Sequence, residues 1–202
     1  MDSLNLLLEN YHLYQDNRLN DRFFKHSDLI QVLNSVRELP GFHLREAGFS
    51  AEKRSINLIS WGTGPCKIFL WSQMHGDEAT ATMAIADLLL FLSDTEEFRE
   101  LRESINKNCT IFILPMVNPD GAEVFNRRNA LGIDINRDFI HQQSPEGRLL
   151  RSLRDEINPH FGFNLHDQTT AWSAGNTGNP ATISLLAPAY DQELNVNTVR
   201  AN

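Results

Sequence analysis

The order of elements in this sequence predicts an α/β fold, a three-layer α/β/α sandwich around a mixed, largely parallel sheet, on three observations. Two runs, "CKIFLWS" and "CTIFILP", are apolar without polar alternation, the pattern of strands buried on both faces. The residues between them, Glu78 to Leu92 and Glu96 to Ile105, have helical composition and periodicity, so strand, helix and strand make a crossover unit. The chain has 202 residues, enough for one domain with a sizeable core and short of two.

Taken in order, Leu4 to Tyr14 carries leucines and aromatics at helical spacing. A second helix is expected after Ser27, where Leu29, Ile30, Val32, Leu33 and Val36 form an apolar stripe. Residues 1–40 therefore read as a helical lead-in to a domain spanning 41–202. "FHLREAGFS" and "SINLISW" read as strands that precede "CKIFLWS". The segment from Pro115 to Pro145 is rich in Gly, Asn, Asp and Arg and lacks periodicity; so long an irregular stretch inside a compact domain points to a functional loop. Pro145 to Ile157 reads as a helix with proline in its first turn, "FGFNLHD" as a strand, "QTTAWSAGNTGNP" as a second polar loop and "ATISLLAP" as a last strand.

The formal net charge of -8 disfavours nucleic acid and anionic lipid as partners. No apolar stretch reaches the length of a membrane span, and the N-terminus lacks a basic region followed by a long apolar core, so a cytoplasmic location is expected. The two cysteines, Cys66 and Cys109, each open an apolar run and are expected to act as small buried hydrophobes.

Ligands of open α/β sheets bind beyond the carboxyl ends of the strands. Three polar clusters sit there: His75 and Glu78 after "KIFLW", Asn118 to Asp138 after "CTIFILP", and His166 after "FGFNL". Two ligands three apart, on the first turn of a helix or in a tight loop, can point to one side. With His166 as a distant third they would make a catalytic zinc site of the His2Glu kind, one position left to water. Alone, the His75/Glu78 pair reads equally as a surface pair or as a carboxylate placed at a helix N-terminus. The remaining histidines, His12, His26, His43, His141 and His160, have no second ligand at useful spacing. The middle loop adds Arg127, Arg128 and Arg137 beside Asn118, Asn129 and Asn136. Guanidinium groups in a cleft bind carboxylates bidentately and stabilise a forming oxyanion. Asn-Pro-Asp-Gly, residues 118–121, is also a strong turn signal on any protein.

In this order, "HGDE", "NPDG", "RRNALGIDINRDF" and "NLHD", from about Lys67 to Asp167, resemble the zinc carboxypeptidase family of the carboxypeptidase A type. The resemblance implies one Zn2+ per chain held by His75, Glu78 and His166. It implies that Arg127, with Arg128 as the alternative, polarises the scissile carbonyl, that Asn136 and Arg137 grip the substrate's terminal carboxylate, and that Asp134 orients a ligating histidine, His75. The expected activity is hydrolysis of the C-terminal peptide bond. The alternatives are a zinc amidase or deacylase acting on acylated amino acids or cell-wall peptides, whose substrates also present a free carboxylate, and a metal- or peptide-binding module without catalysis.

The family also uses a glutamate as general base, with a tyrosine before it, well beyond the third ligand. This chain continues for 36 residues past His166, and Glu193 and Tyr190 are the only residues of those types there. The expectation is a piece of a longer enzyme that binds zinc and hydrolyses little by itself.

Overall fold

The computed structural model describes residues 3–93, 96–167, 173 and 177–179. The chain divides into a unit of Met1–His166 and a second of Asp167–Asn202; every element named below lies in the first. The expected strand "ATISLLAP" and most of the second polar loop fall outside the described residues.

The lead-in forms α1 (Ser3–Glu9), a 3₁₀ turn (Tyr11–Leu13) and α2 (His26–Arg37). The first expected helix is therefore broken at Asn10. Lys25 occupies the N-cap position of α2, and its amide donates to the Asp28 carboxylate at 2.7 Å. A hairpin of β1 (Phe42–Phe49) and β2 (Ser55–Trp61) follows, then β3 (Cys66–Ser72), α3 (Thr80–Leu92), α4 (Arg99–Asn108) and β4 (Cys109–Leu114). The loop after β4 holds two short helices, α5 (Pro119–Glu123) and α6 (Ile135–Asp138). The described part ends in α7 (Pro145–Ile157), with Ser144 at its N-cap and proline in the first turn, and β5 (Phe161–Leu165).

The sheet order is β1-β2-β4-β3-β5. β4, β3 and β5 are parallel, whereas β1, β2 and β4 pair antiparallel, so the sheet is mixed. A five-residue connection between β1 and β2 permits only the antiparallel pairing, because a parallel return needs a crossover. Side chains alternate between two cores. On β4, Ile111 and Ile113 face α2 and α3, while Phe112 and Leu114 face α7. On β2, Ile59 and Trp61 join the first core and Ile56 and Leu58 the second. Helices cover both faces, which is why these strands are apolar without alternation. Leu19, Phe24, Leu29, Val32, Leu33 and Val36 tie the lead-in into the first core.

Cys66 and Cys109 open β3 and β4 as free thiols, each half-buried and paired in register. Burial, then the neighbouring Cys66 thiol, pushes the Cys109 thiol up. No helix among the described residues is long and apolar enough to cross a membrane.

Candidate metal centre

The site forms where β3, β4 and β5 end. β3 leads into the loop 73–79, and two backbone bonds, Val117 to Ser72 at 3.1 Å and Asn118 to Gln73 at 3.0 Å, keep the β3 and β4 chains together past the last strand residues. Gln73, with a positive φ of 49°, is buried, donates to the Gly76 carbonyl and accepts from Thr82. The loop is thereby folded back on itself before α3. Helix α3 starts at Thr80, so Glu78 projects from a turn, closed by the Glu78 amide on the His75 carbonyl at 3.1 Å, and not from the helix that the sequence places there.

Asn118 is fully buried and caps α5 by accepting from Gly121 at 2.9 Å. Its side-chain amide donates to the carbonyls of Met74 and Arg127, each at 3.3 Å. One asparagine thus fastens the metal loop to the segment that carries Arg127. A Cβ on Gly121 would lie 2.4 Å from the Asn118 amide nitrogen and 2.8 Å from the Arg128 carbonyl, so only glycine admits this arrangement.

His75 is 2% exposed. Its Nδ1 lies 2.6 Å from Glu78 Oε1, and its Nε2 lies 3.1 Å from Asp134 Oδ1. The other carboxylate oxygen of Glu78 meets His166 Nδ1 at 2.5 Å, and the two imidazole rings are 4.9 Å apart. The donor atoms of His75, Glu78 and His166 all fall within 4.8 Å of one another. Two imidazole nitrogens and a carboxylate converging on one point, with the far nitrogen of His75 anchored on a carboxylate, match the donor set of a His2Glu zinc site. The same atoms lie within hydrogen-bonding distance of one another and form a charge cluster. Burial works against ionised Glu78, yet its bonds from His166 and His75 outweigh it and hold the group at about 2. Burial likewise opposes a charged His75, and the Glu78 carboxylate overcomes it, so His75 titrates above its ordinary value. Asp134 is held low by His75 and Arg127 against its own burial.

Arg127 turns into the cluster. Its Nη1 lies 3.2 Å from His75 Nδ1 and 3.5 Å from Glu78 Oε1, and its Nε donates to Asp134 Oδ2 at 3.1 Å. Arg128 turns away and donates to the Gly132 carbonyl at 2.8 Å. The two adjacent arginines thus point to different places, Arg127 to the donor cluster and Arg128 to the Gly132 carbonyl. Asp134 caps α6 by accepting from the Asn136 amide at 3.0 Å. Asn136 Oδ1 lies 3.5 Å from Asn164 Nδ2 on β5, two residues before His166. Arg137 follows on α6 and is exposed. Glu193 and Tyr190 lie outside the described residues.

Two buried carboxylates shape the site without touching it. Glu146 accepts from the Asn129 side chain at 3.0 Å and the Ala51 amide at 2.9 Å. Asn129 in turn accepts from the amides of Leu131 and Ile133, closing the turn between Arg127 and Asp134. Asp120 accepts from Ser50, from the Glu52 amide and from Arg54, pinning α5 on the β1–β2 turn. Sequence reasoning placed Asn118 and Asn129 near the site and missed Glu146 and Asp120. The signal for these was weak, an acidic residue directly after a proline in each case. Two of the remaining histidines, His26 and His160, spend a ring nitrogen on backbone partners, the Ser55 carbonyl and the Lys67 amide.

Carboxypeptidase 2 of Trichophyton tonsurans is 26% identical to this chain over 139 residues, covering 69% of this chain and 24% of that protein. The carboxypeptidase N catalytic chain of Homo sapiens is 31% identical over 142 residues, covering 58% and 31%. The chain thus spans less than a third of the length of these curated relatives. Among solved structures, a metallo-carboxypeptidase of Burkholderia cenocepacia has a TM-score of 0.67 at 24% identity, covering 72% of this chain and 41% of that one. A metallo-carboxypeptidase of Pseudomonas aeruginosa, in complex with (2-guanidinoethylmercapto)succinic acid, has a TM-score of 0.65 at 22% identity, covering 72% and 40%. These two likenesses show the fold. A family model described as zinc carboxypeptidase matches residues 29–179, which contain the whole donor cluster, Arg127 and the loop that positions it; the chain belongs to the zinc carboxypeptidase family.

Proposed function

We propose that this chain carries the metal centre of a metallocarboxypeptidase that acts on the C-terminal peptide bond of peptides, with one zinc held by His75, Glu78 and His166. The observation that carries the reading is the convergence of these three side chains with Arg127 at the ends of β3 and β5. When bound, zinc supplies a Lewis acid that brings water toward neutral pKa and polarises a carbonyl. Arg127, beside the donor atoms and steadied by Asp134, is placed to neutralise an oxyanion. Asn136 and Arg137 on α6 are the groups for the free carboxylate of the substrate, and fixing that end makes attack effectively intramolecular. The succinic acid derivative bound by the Pseudomonas aeruginosa relative is itself a carboxylate, in keeping with such a clamp.

A carboxylate clamp also suits a zinc amidase or deacylase. The two readings separate when the protein, supplied with the family's downstream general base, is offered an acylamino acid beside a longer peptide. Preference for the peptide supports the carboxypeptidase; preference for the acylamino acid supports the deacylase. By itself this chain is proposed to bind zinc and to hydrolyse little. Robust hydrolysis of several C-terminal peptides by these 202 residues would overturn that part.

A further inference from the structure

Next to the metal loop the surface carries an aromatic pair, with Phe23 exposed and Phe125 half-buried. Phe23 and Phe125 stack with ring centroids 4.4 Å apart, tilted by 45°. Phe23 is 61% exposed and Val124, which precedes Phe125, is 71% exposed, while Phe24 is buried in the core. The Arg22 guanidinium lies 6.0 Å from the Phe125 ring and donates to the Asp77 carbonyl at 3.3 Å, inside the loop between His75 and Glu78. The pair is held firmly. The Lys25 side chain donates to the Glu123 carbonyl, and the His26 amide donates to the Glu123 carboxylate at 3.0 Å, fastening residues 22–26 to the end of α5. Phe125 has a positive φ of 49°, a conformation that favours glycine or asparagine, so an aromatic there is kept against backbone preference.

The position is suggestive because of the direction in which a peptide must run. Asn136 reaches β5, at one edge of the sheet. Arg22, Phe23 and Phe125 sit with α2 and α5, and α2 packs on β1 at the opposite side. The metal loop after β3 lies between. From Asp77 the contacts lead through Arg22 to Phe125 and Phe23.

We propose, resting on the carboxypeptidase reading, that Phe23 and Phe125 form a subsite for an aromatic or large aliphatic side chain of the substrate, upstream of the scissile bond. The substrate class is then peptides with such a residue upstream of the C-terminus. A tilted aromatic pair with an arginine near one ring offers apolar area and a ring face to a further side chain. The helical lead-in thereby takes part in substrate selection.

The test is calorimetric titration of the zinc-loaded chain with three acetylated peptides, Phe-Phe-Ala-Leu, Gly-Gly-Ala-Leu and the dipeptide Ala-Leu. The proposal expects the Phe-bearing tetrapeptide to bind about 3- to 10-fold tighter than the Gly form. In Phe23→Ala that ratio should fall to about 1, and Phe23→Leu, which keeps apolar area without the ring, should give an intermediate value. A ratio near 1 in the native protein, or one preserved in Phe23→Ala, overturns the subsite. Phe-dependent binding without any binding of the dipeptide would keep the subsite and overturn the carboxypeptidase reading. Binding of no peptide overturns both.

Discussion

Gly76 in the metal loop lies against Gly121 in α5 so closely that a Cβ on Gly76 would sit 2.0 Å from the Gly121 carbonyl carbon. The obstacle would be backbone, which cannot swing aside as a side chain can. Gly76→Ala is therefore expected to lower stability by about 1–3 kcal/mol or more and to displace His75 and Glu78 together. Urea unfolding and zinc stoichiometry measure the two effects. An unchanged midpoint with full zinc would contradict this packing.

Asn129→Ala removes the acceptor for two backbone amides and leaves Glu146 Oε2 without that donor in a fully buried setting. The expected loss is about 1–3 kcal/mol. Faster amide hydrogen exchange should appear at Leu131 and Ile133, where the turn opens. Protection equal to the native chain at both amides would mean that the turn holds without this side chain.

Arg127 and Arg128 are expected to separate sharply. In the enzyme that carries the general base, Arg127→Ala should lower kcat/KM by about 10²- to 10³-fold, as loss of an oxyanion partner does. Arg128→Ala, which removes one bond to the Gly132 carbonyl, should stay within about threefold, the effect of a surface change of ~0.5 kcal/mol. Equal losses would return the assignment to an open choice.

The metal-free cluster has a definite pH signature. Glu78 is depressed to about 2, so its contribution is full above its ordinary value of 4.5 and fades as pH falls toward 2. His75 is raised, so its contribution is full below 6.5 and fades as pH rises through the raised value. Thermal melting of metal-free protein should peak between these limits. Zinc needs an unprotonated imidazole, so its uptake near about pH 6 should release protons. Zinc titrations in buffers of differing ionisation enthalpy read that release directly, and heats independent of the buffer would contradict it.

How much of this was legible beforehand depends on the range of the interaction. The burial of β3 and β4 on both faces could be read from Ile68 to Trp71 and from Ile111 to Leu114, because strand period and apolar run are local properties. His75, Glu78 and His166 could be gathered because motifs at strand ends converge in an open sheet, whereas Arg127 and Asp134 were singled out within the middle loop by the resemblance to the zinc carboxypeptidases. The sequence left a first helical turn and a tight loop open for Glu78, because the Ala-, Leu- and Met-rich run favours a helix while the loop is set by buried Gln73. What could not be read is the double tie made by Asn118 or the anchoring of Asn129 on Glu146, which depend on partners 9 to 44 residues away. The choice between Arg127 and Arg128 rested on side-chain direction, which two adjacent identical residues do not encode.

The most direct measurement of the central claim is metal content by native mass spectrometry, on protein purified without added metal, for the native chain beside His75→Ala and His166→Ala. The account predicts one zinc per native chain and none in either variant, both variants remaining folded by circular dichroism. A folded native chain that holds no zinc and takes up none when it is added would contradict the three-ligand centre.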